Sequence, residues 1–162
     1  VAIGYGVRSL RERPFPMLHE ARLHAATASQ NEDYAMATGA IDEDVEGVFL
    51  LNFLTGDLQC SVMSIRTGRF AGLFKTNVIR DLGMDPAKQP AYLMATGQGR
   101  FPRGGGAARQ AFSLVYVLDT TSGKCAAYSL PWRRDMANTG RPQAGAMVLM
   151  DIGQGPTAIT RE

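Results

Sequence analysis

Two stretches of this chain, residues 36–64 and 94–129, follow one pattern. Met36-Ala37-Thr38-Gly39 returns as Met94-Ala95-Thr96-Gly97. Val48-Phe49-Leu50-Leu51-Asn52-Phe53-Leu54-Thr55-Gly56-Asp57 returns as Val115-Tyr116-Val117-Leu118-Asp119-Thr120-Thr121-Ser122-Gly123-Lys124. The first pair is offset by 58 residues and the second by 67, so the later stretch has nine more residues between its two matching parts. An echo on this scale marks a supersecondary unit used twice, which restricts the chain to a stacked or layered fold and says little about chemistry.

Within each stretch, short apolar runs are cut by Thr-Gly or Ser-Gly pairs at 38–39, 55–56, 67–68, 96–97 and 122–123, the spacing of successive β-hairpins. Glycine in such a pair can take the positive φ of a bulged turn, and Asn52 or Asp119 just before it can cap the turn through its side chain. The pattern predicts strands near 33–38, 47–53, 57–63 and 69–75, then near 91–96, 113–119, 124–130 and 146–151, with Pro131-Trp132 ending the seventh. One helical turn or two is expected over Thr76 to Gly83, and a short helix over Met17 to Ser29. Pro14 and Pro16 around Phe15 favour an extended arm. The expected fold is therefore mainly β. Two tandem antiparallel meander repeats, about 33–83 and 91–151, form one sandwich, barrel or partial propeller in a domain of 33–162, preceded by an arm and short helix in 1–32.

A four-stranded meander with Asn or Asp, two residues, then Thr or Ser and Gly resembles a single blade of a β-propeller of the WD40-like or YVTN-like kind. The resemblance covers residues 33–75 and 91–151 and implies blade-like sheets; no Trp-Asp or Gly-His blade signature accompanies it. Propellers close with about four to eight blades, so two units leave a ring incomplete unless several chains contribute. The layout is also similar to that of small bacterial envelope proteins with an N-terminal anchor and a short β-rich domain.

The bulk numbers set outer limits. Seventeen Lys and Arg against fifteen Asp and Glu give a net charge of +2, too little to argue for a nucleic-acid partner without a local basic patch. The two cysteines, Cys60 and Cys125, are expected on the same side of their respective hairpins, as a bridge or as two packed thiols. Val1 to Val7 is apolar and followed by Arg8, Arg11 and Arg13, which suits either an N-terminal strand or the end of a membrane anchor.

The spacing of the polar residues excludes most kinds of catalytic or metal site. His19 and His24 lie five positions apart, so on a helix their rings diverge, and the cysteines are 65 residues apart, which together argue against zinc. Asp42, Asp44 and Glu46 resemble the opening of a calcium loop, but Phe53 stands where its closing Glu belongs. There is no Gly-x-Ser-x-Gly elbow, Pro102 breaks the dinucleotide-like Gly97-Gln98-Gly99, and Gly104-Gly105-Gly106 lacks a P-loop ending. Dispersed carboxylates such as Asp81, Asp119 and Asp135 are not grouped by sequence. The expectation is no enzyme, no cofactor and no metal.

One constellation remains. The loop after the first Thr-Gly carries Asp42, Glu43, Asp44 and Glu46, whereas the corresponding loop of the second stretch carries Arg100, Arg103 and Arg109, so matching loops have opposite charge. With Trp132 as a strand-end anchor, these residues are the expected interaction set. The expected function is a non-enzymatic structural or assembly protein, exported or envelope-associated, with membrane attachment following from the anchor reading of its N-terminal segment, and its expected partners are copies of itself or other subunits of a larger complex. The alternative is a small-molecule or anion-binding module using the Gly- and Arg-rich loop 97–110.

Overall fold

The computed structural model describes residues 28–30, 32–85, 91–99, 101, 106 and 108–156. Five strands come first: β1 (Ala28–Gln30), β2 (Tyr34–Asp42), β3 (Val45–Asn52), β4 (Asp57–Ser64) and β5 (Arg69–Asn77). After α1 (Val78–Leu82) the chain continues as β6 (Tyr92–Gln98), β7 (Arg109–Gln110), β8 (Ser113–Asp119), β9 (Lys124–Ser129) and β10 (Pro131–Trp132). It ends with α2 (Arg134–Asn138), β11 (Gln143–Ala146) and β12 (Val148–Gln154). The first sheet has the order β1-β2-β3-β4-β5-β11, the second β12-β9-β8-β6, and β10 pairs with β7 in a small ribbon. All pairings are antiparallel except β11 with β5.

The turns follow from side chains named in the sequence. Asn52 Oδ1 accepts from the Leu54 and Thr55 backbone N–H groups, and Gly56 closes the turn at φ 70°. Asp119 accepts from Thr121 and Ser122 N–H in the same way, and Gly123 closes that turn at φ 74°. Both glycines donate back to the capping residue's carbonyl, at 2.9 Å in the first turn and 2.8 Å in the second. In α1, Asn77 caps the Arg80 N–H and Gly83 leaves the helix in the left-handed region, which keeps it to five residues.

Strand alternation supplies the core. On the first sheet, Ala35, Ala37 and Ile41 of β2, Phe49 and Leu51 of β3, Leu58, Cys60 and Val62 of β4 and Phe74 of β5 are buried. On the second, Tyr92 and Met94 of β6, Val115 and Val117 of β8, and Ala126 and Tyr128 of β9 are buried, and all join one cluster with the first set. Fully burying each large apolar side chain contributes about 1.5–3 kcal/mol. The sheets meet most closely at β2 and β6, where Thr96 Oγ1 donates to the Thr38 carbonyl at 2.6 Å. A Cβ on Gly39 would come within 2.9 Å of Ser113 Oγ, so the glycine lets the second sheet approach.

Several expectations change. The sheets do not close into a barrel, which removes that alternative. The helix expected over Met17 to Ser29 does not reach its predicted end: Ala28 to Gln30 pair with Ala35 to Ala37 as β1, because the open edge of β2 offers backbone partners that outweigh local helix propensity. Residues 17–27 lie outside the described residues. The last strand begins at Val148 rather than Ala146, since Gln143–Ala146 crosses back to pair with β5 and Met147 N–H donates to the Lys75 carbonyl. Pro131-Trp132 does not merely end a strand but pairs with Gln110 and Arg109.

Candidate functional site

Strand register places the two hairpin sets in the same frame. Met36 pairs with Leu50 and Leu51 with Leu58; 58 and 67 residues later Met94 pairs with Val117 and Leu118 with Cys125. The faces that meet are nevertheless unlike. The first sheet turns inward the side bearing Ala35, Ala37, Phe49 and Leu51, whereas the second turns inward the side bearing Tyr92, Met94, Val115 and Val117, whose counterparts in the first sheet are Tyr34, Met36, Val48 and Leu50.

Each sheet is left with an outer face rich in apolar side chains. On the first, Tyr34 is 50% exposed, Met36 46% and Leu50 36%, with Leu73 and Met63 beside them. On the second, Leu93 is 48% exposed and Tyr116 38%, next to half-buried Leu118, Cys125 and Ala127. Leu93, Leu118 and Cys125 form one cross-strand row, and Met36, Leu50 and Gln59 another. Contiguous apolar patches of this kind on a water-facing sheet are commonly contact surfaces.

A second feature sits at the end of the first sheet, where α2 leaves a cavity of about 440 Å³ lined by Asp42, Glu43, Val62, Arg66, Trp132 and Arg134 among others. Arg134 grips the buried Asp42 carboxylate with two nitrogens, Nε donating to Oδ2 at 2.8 Å and Nη2 to Oδ1, and reaches Glu43 Oε2 at 3.4 Å. Burial works to raise the Asp42 pKa, but the Arg134 hydrogen bonds and charge and the Glu43 N–H outweigh it and hold the carboxyl below its ordinary range. The Trp132 indole N–H is buried beside Asp42 without closing a hydrogen bond, and its ring meets Phe74 edge-on at 6.3 Å. Trp132 is thus a core anchor that holds the β10 ribbon on the first sheet.

No protein-family model, curated protein or solved structure matches this chain.

The expected interaction set is only partly gathered. Asp42 and Glu43 meet Arg134, a partner 92 residues from Asp42 whose only sequence signal is the basic pair following Trp132. Asp44 occupies the tip between β2 and β3 at φ 58°, and Glu46 is exposed on β3. Arg109 is exposed on β7 opposite Trp132, while Arg100 and Arg103 lie outside the described residues, as does much of loop 97–110. The dispersed carboxylates have separate structural tasks. Asp81 accepts from Thr76 Oγ1 at 2.8 Å, Asp119 caps its turn, and Asp135 pairs with Arg133 Nη2 at 2.7 Å.

Both cysteines are free thiols. Because unlike faces meet, Cys60 points into the core, where burial pushes its thiol up to about 12, whereas Cys125 lies on the outer side of the second sheet. Burial, with the Asp119 charge added, also pushes Tyr92 up to about 12. Among the described residues, no group of three or more His, Cys, Asp or Glu could hold a metal ion, and no helix is long and apolar enough to cross a membrane.

Proposed function

We propose that this chain is a non-enzymatic assembly protein, built from two copies of one blade-like meander and working by association with copies of itself or as an accessory subunit of a larger, envelope-associated complex. The observation that carries the reading is the apolar outer face left on each sheet, with Tyr34, Met36 and Leu50 on one and Leu93 and Tyr116 on the other. The common register of the two meanders and their matching Asn52 and Asp119 turns support the duplication. Sheet faces of this kind associate by burying apolar area, so assembly should survive moderate salt. Sedimentation velocity over a range of concentrations, at low and moderate salt, tests the reading: species larger than one chain are expected, and a single chain throughout would refute self-association.

A further inference from the structure

The interface inside the chain is built from two parts, and both parts occur a second time on the outer faces. Within the chain, Tyr92, Met94 and Thr96 of β6 turn inward towards β2, whose inward side carries Ala35, Ala37 and Gly39. These small residues let β6 come close enough for Thr96 to reach the Thr38 carbonyl. On its outward side β2 carries the same Tyr-x-Met-x-Thr as Tyr34, Met36 and Thr38, and on its outward side β6 carries Leu93, Ala95 and Gly97, which match the small Ala37 and Gly39 at two places and put a leucine where the first sheet has Ala35.

We infer that the outer face of the first sheet docks on the outer face of the second sheet of another copy, head to tail, and that copies joined this way close into a ring with β6 and the β1-bearing edge of the first sheet nearest its axis. This rests on the assembly reading above and makes it specific. The contact is heterologous, because each chain offers two different faces, and heterologous contacts give rings when the rotation between units closes. If the junction repeats the packing found within the chain, every sheet has the same neighbours, and about four to eight blade-like sheets correspond to about two to four chains. Thr38 Oγ1 of one copy then donates to the Thr96 carbonyl of the next, as Thr96 does to Thr38 within the chain.

Charge agrees with this arrangement. Within the chain, Phe112, just before β8, donates its N–H to the carbonyl of Ile41, next to the β2–β3 tip, at 3.1 Å. At the junction between copies, the tip bearing Glu43, Asp44 and Glu46 takes the place of that segment and lies beside the next copy's own β6–β8 connection, which carries Arg109. Opposite charges at the rim fix which faces pair.

The test uses the 162-residue chain and two face variants, Met36→Glu with Leu50→Glu and Leu93→Glu with Tyr116→Glu, all at exposed positions. Molar mass by light scattering is expected to be a small fixed multiple of one chain for the wild type and one chain for each variant alone. An equimolar mixture of the variants should give a two-chain species, because each supplies the face the other lacks. A variant that keeps the wild-type mass, a mixture that stays single-chain, or wild-type species that grow without limit would overturn the head-to-tail ring while leaving assembly standing. A single-chain wild type would refute self-association itself, and the ring with it.

Cross-linking checks the geometry while leaving Met36, Leu50, Leu93 and Tyr116 in place. Glu46 and Gly97 are the counterparts of Ser113 and Gly39, where a Cβ on the glycine would meet the serine side chain within the chain. In a Cys125→Ser background, Glu46→Cys mixed with Gly97→Cys should oxidise to a covalent two-chain species, and neither variant alone should do so at a comparable rate. Failure of the mixed pair to cross-link in an assembled sample would overturn the proposed docking.

Discussion

Thr96 and Thr38 occupy the same place in the two Met-Ala-Thr-Gly stretches, and Thr96 Oγ1 donates to the Thr38 carbonyl at 2.6 Å across the sheet interface. The bond is one-sided, using the side chain of one threonine and the backbone of the other. Thr96→Val keeps the shape and removes the donor. We expect it to cost about 1 kcal/mol, seen in urea as a lower midpoint with an unchanged slope.

Asp42 and Arg134 fasten α2 to the first sheet. Asp42→Asn removes the charge that two guanidinium nitrogens face, and with Arg134 partly open to water the expected loss is about 1–2 kcal/mol. Because folding lowers the Asp42 pKa from 3.8, the stabilisation is complete above that value and is lost as pH falls through the lower folded value. The stability gap between wild type and Asp42→Asn, measured by denaturation across the acid range, should therefore narrow below pH 3.8.

Glycines in the left-handed region should rank by what a Cβ would meet. Gly68→Ala, at φ 65° with nothing within 4 Å, incurs only the conformational cost of about 1–2 kcal/mol. Gly56→Ala adds a clash, since its Cβ would lie 2.6 Å from Ile79 Cγ1, and should cost about 1–3 kcal/mol more. Thermal midpoints of the two variants would show the order, and equal values would contradict it.

Phe74 is buried against the single tryptophan. Phe74→Ala should open a cavity at a cost of about 3–5 kcal/mol, and Trp132 emission should move to longer wavelength as its apolar cover is lost. Fluorescence-monitored unfolding in guanidinium reads both effects in one experiment.

Cys60 should be chemically silent in the folded chain, since burial both shields its thiol and pushes its pKa up to about 12. In Cys125→Ser, the remaining thiol should react with an aromatic disulfide reagent at pH 8 only as fast as the protein opens; a rapid reaction in native buffer would contradict its burial.

Much of the secondary structure was legible from local chemistry. Residues such as Asn52, Gly56, Asp119 and Gly123 specify tight turns through contacts with their own neighbours, so strands such as 57–64 and 113–119 fall close to their expected places. The ion-pair partner of Asp42 was not legible: Arg134 comes from the far side of the chain and meets it only after α2 folds over the sheet. Nor was the path of Gln143–Ala146, which depends on an open edge of β5 rather than on its own sequence.

The amino-acid order alone determined the hairpins, their turns and the alternation that gives each strand an apolar side, because those depend on backbone geometry within a few residues. Which side of each meander became core was decided only in three dimensions. Both sides of β2 and β6 carry apolar or small residues, so periodicity does not choose between them. The choice was made when Tyr92, Met94 and Thr96 settled towards Ala35, Ala37 and Gly39, a fit of large against small between strands 58 residues apart.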